Sequence, residues 1–202
     1  EEELYSYQKK ITCYDLPEDI KKATFTNIYK DDKHRLPIVK YFKEFIDSYL
    51  KKEPIKGVYL HGSFGSGKTY LIASLFNEMA KKDVSSIMVY YPELLRSLKS
   101  SFGGDYEEKF SKLKTVPLLL LDDIGAENTT NWSRDEVLAP LLQYRMENHL
   151  STFFTSNLTK QELELTLSNT SNGIDKIKAR RIIERINQLT VDLELISKNR
   201  RN

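Results

Sequence analysis

Short apolar runs alternate along this chain with longer segments in which apolar residues return every third or fourth position. Val58–His61, Ile87–Tyr91, Leu118–Leu121, Thr152–Ser156 and Val191–Ile196 read as strands. Leu118–Leu121 is apolar on both faces, as a strand inside a parallel sheet must be. Pro37 opens a helix with Ile38, Phe42, Phe45, Ile46, Tyr49 and Leu50 on one face. From Thr69 to Lys82, Leu71, Ile72, Leu75, Phe76 and Met79 keep helical period. Pro92 starts another helix, with Leu94, Leu95 and Leu98, which Gly103–Gly104 breaks. Asp105 caps the next, with Tyr106, Phe110 and Leu113. Ser133 and Glu136 read as a capping-box pair before Val137, Leu138, Leu141 and Leu142, and Thr159 and Glu162 as a second. Ser168–Gly173 reads as a polar loop and Ile174–Gln188 as a basic helix. Strands alternating with helices predict an α/β fold, a parallel five-stranded sheet flanked by helices. Residues 1–35, polar and irregular, are expected to form an N-terminal arm or linker to a domain over 36–202.

Composition narrows the function. With 31 basic and 29 acidic residues the net charge is +2, so no uniformly basic coat grips nucleic acid by bulk charge, although a local basic face remains open. At 40% hydrophobic and 11% aromatic the chain can build a core. Cys13 stands alone, so no internal disulfide forms, which fits a reducing, cytoplasmic setting. The longest apolar run falls far short of the roughly 20 residues of a membrane span, and no membrane partner is expected. His34, His61 and His149 lack metal-ligand spacing. The chain opens Glu1–Glu2–Glu3, without Met or an apolar leader, and is expected to be a fragment.

The chemistry concentrates at strand ends. Gly62, Ser63, Phe64, Gly65, Ser66, Gly67, Lys68 and Thr69 spell GSFGSGKT, which matches GxxxxGK[ST] between a strand and an amphipathic helix. The glycines let successive backbone N–H groups cradle phosphates at a helix N-terminus. Lys68 then reaches the β- and γ-phosphates of ATP, and the Thr69 hydroxyl ligates Mg²⁺. Downstream, LLLLDD is a buried strand ending in Asp122 and Asp123. Asp122 suits Mg²⁺, through water, and Asp123 the polarisation of an attacking water. Asn157 ends the next strand, where an amide can fix that water or a γ-phosphate oxygen, or simply turn the chain into the Thr159 cap. Arg181 and Arg185 share one face of the basic helix and can serve a neighbouring subunit's γ-phosphate, nucleic acid, or solvent. In SFGGDY, Phe102 can stack a base with Lys99 nearby, or pack between helices. A small-molecule kinase on the same loop is a competing reading, which the acid pair and Asn157 oppose. A GTPase is weaker, because the guanine-reading NKxD is absent.

GSFGSGKT at Gly62, LLLLDDIGAE from Leu118, FFTSN from Phe153 and RRIIERI from Arg180 together resemble the AAA+ P-loop NTPases. More closely, they resemble the ATPase domain of bacterial replicative helicase loaders of the DnaI/DnaC type, from about Phe25 to the C-terminus. The resemblance implies ATP binding and hydrolysis with Mg²⁺, and help in placing the replicative DNA helicase on single-stranded DNA, with self-assembly on the helicase. It implies that Asp123, Asn157 and Arg185 are catalytic, with Asn157 as sensor 1 and Arg185 as arginine finger, Arg181 being the alternative. It implies Lys99 and Phe102 as DNA contacts. It also implies an upstream zinc-binding, helicase-docking domain, missing here. Two features depart from the wider pattern. Asp123 stands where most AAA+ proteins carry Glu, so slow hydrolysis is expected, and too few residues follow Asn157 for a C-terminal helical lid. A transposition-helper ATPase of the same superfamily is the runner-up.

Overall fold

The computed structural model describes residues 7, 9–27, 33–101 and 104–196. Phe102 and Gly103, read above as a stacking residue and part of a helix break, lie outside them.

The apolar runs form one parallel sheet, and it has six strands rather than five. They are β1 (Ile11–Tyr14), β2 (Gly57–Gly62), β3 (Ser86–Tyr90), β4 (Leu118–Asp122), β5 (Ser151–Ser156) and β8 (Thr190–Leu195). Their order is β1-β3-β4-β5-β2-β8. The added strand comes from the segment read as an arm, and pairs Ile11 with Ser86 and Tyr14 with Val89. It sits on the sheet edge with only Ile11 buried, so it shows no apolar run.

Side chains alternate across each strand, and this builds two cores. Leu119, Leu121 and Phe154 point to one, with Leu94, Leu138 and Ile186 from the helices on that face. Leu118, Leu120 and Phe153 point to the other, against helices Arg35–Leu50 and Lys68–Ala80. There the Phe153 ring meets Phe45 and Phe76 edge-on, each at 5.2 Å. Helices Tyr91–Ser100, Gly104–Thr115, Ala139–Glu147 and Lys176–Leu189 cover the first core.

Arg145, on helix Ala139–Glu147, is fully buried. It donates to the carbonyls of Leu113, Val116 and Ser151 at 3.0, 2.7 and 2.8 Å, and to Thr152 Oγ1 at 2.9 Å. Burial pushes its pKa down, and the interaction with Tyr49 opposes that shift. This one side chain ties the lead-in to β4 to the start of β5, the two strands whose far ends carry the acids and Asn157.

Three local expectations shift. The helix cap expected at Ser133 and Glu136 lies upstream: Thr130 N–H donates to Ser133 Oγ and Ser133 N–H to Thr130 Oγ1, both at 3.0 Å. Ser133–Leu138 then forms a π-helical turn. The loop Ser168–Gly173 contains a short antiparallel ladder, β6 (Asn169–Thr170) with β7 (Gly173–Ile174). The basic helix starts at Lys176, where Asp175 caps it by accepting from Lys178 N–H at 3.0 Å. The Thr159–Glu162 capping box forms as expected. Among the described residues β8 is the last element, and no helix is long and apolar enough to cross a membrane.

Candidate nucleotide site

From β2 the chain crosses past β5 and β4 to β3, which opens a crevice at the strands' carboxyl ends. A pocket of about 380 Å³ lies there. Phe64–Thr69, Asp122, Asp123 and Asn157 line it, so the predicted phosphate loop, acid pair and amide come together.

The loop has the backbone its sequence asks for. Gly62 (φ 147°) packs so close to β8 that a Cβ would lie 2.0 Å from the Leu195 carbonyl oxygen. Gly67 caps helix Lys68–Ala80 in the left-handed region, φ 93°. Gly62 and Ser63 are not among the residues that line the pocket, and their carbonyls accept from Lys68 Nζ at 3.2 and 2.9 Å. The same ammonium donates to Asn157 Oδ1 at 2.9 Å. The two residues are far apart in sequence, yet one hydrogen bond joins the phosphate lysine to the end of β5. Arg35, at the start of its helix and buried, donates from Nη2 to the Ser66 carbonyl and braces the loop from outside the pocket.

Asp122 is buried, 6% exposed, and its Oδ1 accepts from the hydroxyls of Thr69 and Thr155, each at 2.6 Å. Burial raises its pKa; the two hydroxyls oppose that shift and the neighbouring Asp123 charge adds to it. Asp123 takes a left-handed backbone, φ 58°, with its N–H on Thr155 Oγ1 at 2.8 Å. Glu127 accepts from Gly125 N–H at 2.8 Å, and burial pushes its carboxyl up to about 7.

Other expected residues lie elsewhere. Neither Arg181 nor Arg185 lines the pocket. Arg181 is exposed; Arg185 is half-buried and donates to the Ala139 carbonyl at 3.4 Å. Lys99 is exposed at the end of helix Tyr91–Ser100, also away from the pocket. Conversely, the pocket takes in Tyr90, Thr155 and the turn Asp15–Pro17, none of which carries a role of its own in the sequence reading. Tyr90 and Thr155 were traceable as strand-end residues. The turn became visible only once β1 had joined the sheet.

Residues 46–192 match the family described as IstB-like ATP binding protein. The chain is 42% identical over 189 residues to the replicative helicase loader DnaI of Bacillus subtilis (strain 168), covering 93% of this chain and 61% of that protein. It therefore spans less than two thirds of that relative's length. A crystal structure of DnaI superposes with a TM-score of 0.85 at 43% identity, covering 96% of this chain and 99% of that one. A candidate primosome component from Streptococcus pyogenes serotype M3 superposes with a TM-score of 0.82 at 31% identity, over 97% and 98% of the two chains. With the phosphate loop, the acid-tipped strand and most of its length inside that match, the chain belongs to the IstB-like ATP binding protein family.

Proposed function

We propose that this chain is the ATPase part of a helicase loader, which binds ATP with Mg²⁺, hydrolyses it slowly, and helps place the replicative DNA helicase on single-stranded DNA. The likeness to a replicative helicase loader across 93% of the chain, with Phe64–Thr69, the acid pair and Asn157 lining one pocket, carries this reading. A transposition helper or a small-molecule kinase is not favoured, because the curated relative at 42% identity is a loader.

In this reading the backbone of Gly62–Thr69 and the Lys68 ammonium hold the triphosphate. Thr69 Oγ1 lies 2.6 Å from Asp122 Oδ1, so hydroxyl and carboxylate oxygens stand together as the hard donors that Mg²⁺ prefers. Bound there, Mg²⁺ would offset negative charge on the phosphate oxygens. Asp123 polarises a water whose oxygen bonds to the γ-phosphorus as the bond to the β,γ-bridging oxygen breaks. The proton passes through the carboxylate to solvent, and ADP and phosphate leave. Asn157, whose Oδ1 accepts from Lys68 Nζ, is in this reading the amide that fixes the attacking water or a γ-phosphate oxygen. The short Asp123 side chain reaches less far than a Glu, which supports slow turnover.

Lys68→Ala is expected to lower ATP affinity at least tenfold, roughly 1.4 kcal/mol, by calorimetry. Unchanged affinity would place ATP elsewhere. Single-stranded DNA is expected to bind weakly and with salt sensitivity, through Lys99 and Phe102, because the net charge is only +2. Assembly on the helicase would strengthen it, in the cytoplasm. The function itself is read by a pulldown of the host's replicative helicase with and without ATP. Capture of the helicase supports the reading, and exclusive capture of a transposase overturns it.

A further inference from the structure

β5 lies between the acid strand β4 and the phosphate-loop strand β2. The pairing of Leu121 with Phe154, and of Leu60 with Thr155, puts Thr155 in the row beside Asp122. Thr155 is 2% exposed and lines the pocket. Its hydroxyl has one proton, and the geometry assigns it: Oγ1 donates to Asp122 Oδ1 at 2.6 Å and accepts the Asp123 N–H at 2.8 Å. Thr69 sends its hydroxyl proton to the same Oδ1. Among the described residues, no hydrogen bond falls on the other carboxylate oxygen of Asp122, which stays available to a cation's water shell. Asp123 sits in a left-handed turn, φ 58°, and its N–H on Thr155 Oγ1 ties that turn to β5. The neighbouring backbone adds to the clamp. Ile124 N–H donates to the Thr155 carbonyl at 3.0 Å, and Ser156 Oγ donates to the Ile124 carbonyl at 2.6 Å.

We propose that Thr155 is a positioning residue for hydrolysis, whose one hydroxyl sets Asp122 by donating to it and Asp123 by accepting from it. A single atom then fixes the cation's acid relative to the water's acid. The inference rests on the ATPase reading above. It adds that β5 contributes to the site twice, through Asn157 toward the phosphate and through Thr155 toward both carboxylates.

The test compares Thr155→Val, which keeps the shape and removes the hydroxyl, with Thr155→Ser, which keeps the hydroxyl and removes the methyl. Affinity for a non-hydrolysable ATP analogue is measured with and without Mg²⁺, together with kcat and KM for ATP. Groups that orient a metal's ligands change affinity or activity by about 10–100-fold when removed. Thr155→Val is therefore expected to keep its Mg²⁺-free affinity within about twofold, to lose about tenfold of the Mg²⁺-dependent gain, and to lower kcat about tenfold or more with KM little changed. Thr155→Ser restores all three. If Thr155→Val does not fold, Thr155→Ala is read against Thr155→Ser in the same way. A folded hydroxyl-free variant with the parent's Mg²⁺ dependence and kcat overturns the proposal. So does a Thr155→Ser as impaired as Thr155→Val, since packing rather than the hydroxyl would then be responsible. A parent chain that neither binds nor hydrolyses ATP overturns the ATPase reading, and this inference with it.

Discussion

Replacing Asp123 with Asn is expected to leave ATP binding intact while turnover falls by roughly 10²-fold or more. The substitution is clean for two reasons. Asn is one of the few residues that settles readily at the left-handed φ of 58° found here, so the turn after β4 should survive. Its N–H can still meet Thr155 Oγ1. What disappears is the carboxylate that accepts a proton from the attacking water. Single-turnover hydrolysis with a matched binding titration reads the two effects separately. If turnover persists, Glu127 becomes the alternative base, and the variant's pH profile tests it. With its carboxyl pushed up to about 7, a Glu127-driven rate should climb as pH rises through neutrality.

The second large effect is expected from the basic helix. Arg185→Ala should keep monomeric ATP binding and lose 10³-fold or more of the turnover that depends on assembly, the usual scale for an arginine finger. Neither Arg185 nor Arg181 lines the chain's own pocket, which supports action on a neighbour. Arg185 is half-buried against the Ala139 carbonyl and Arg181 is exposed, so Arg181→Ala belongs in the same experiment. With full-length protein, helicase and DNA present, mixing Arg185→Ala with Lys68→Ala should restore some activity. One subunit then offers a sound pocket and its neighbour a sound arginine. Absence of rescue in a mixture that does assemble would mean that Arg185 acts in its own chain or not at all.

The parts of the site that could be read from the sequence are those whose physics is local. GSFGSGKT must carry glycines where the backbone turns left-handed, and LLLLDD must be apolar until it leaves the core. The Thr159–Glu162 box closes within one helical turn, so its spacing is sufficient to find it. What could not be read depends on pairing between distant segments. β1 has one buried residue and a partner, β3, far along the chain, so nothing local marks Ile-Thr-Cys-Tyr as a strand of the sheet. Arg145 looks like a surface residue of an amphipathic helix until the carbonyls around Leu113, Val116 and Ser151 converge on it. Thr155 could be seen as part of a strand end, but its two hydrogen bonds to the acids could not, because they need β4 and β5 side by side. The Ser133 cap moved upstream because a hydroxyl at Thr130 met the same need first.

β1 also bears on how such domains can be cut and joined. The recognisable motifs all lie downstream of Arg35, so a splice made at the first of them looks harmless. It would keep every phosphate-binding residue and discard the strand that covers β3 and the turn Asp15–Pro17 that walls the pocket. The newly bare edge would carry Ile87, Met88 and Val89, an apolar strand with free backbone groups, which is a template for sticking to other chains. A recombination breakpoint or designed chimera that respects the fold therefore falls upstream of Ile11, where the motifs give no sign of a boundary.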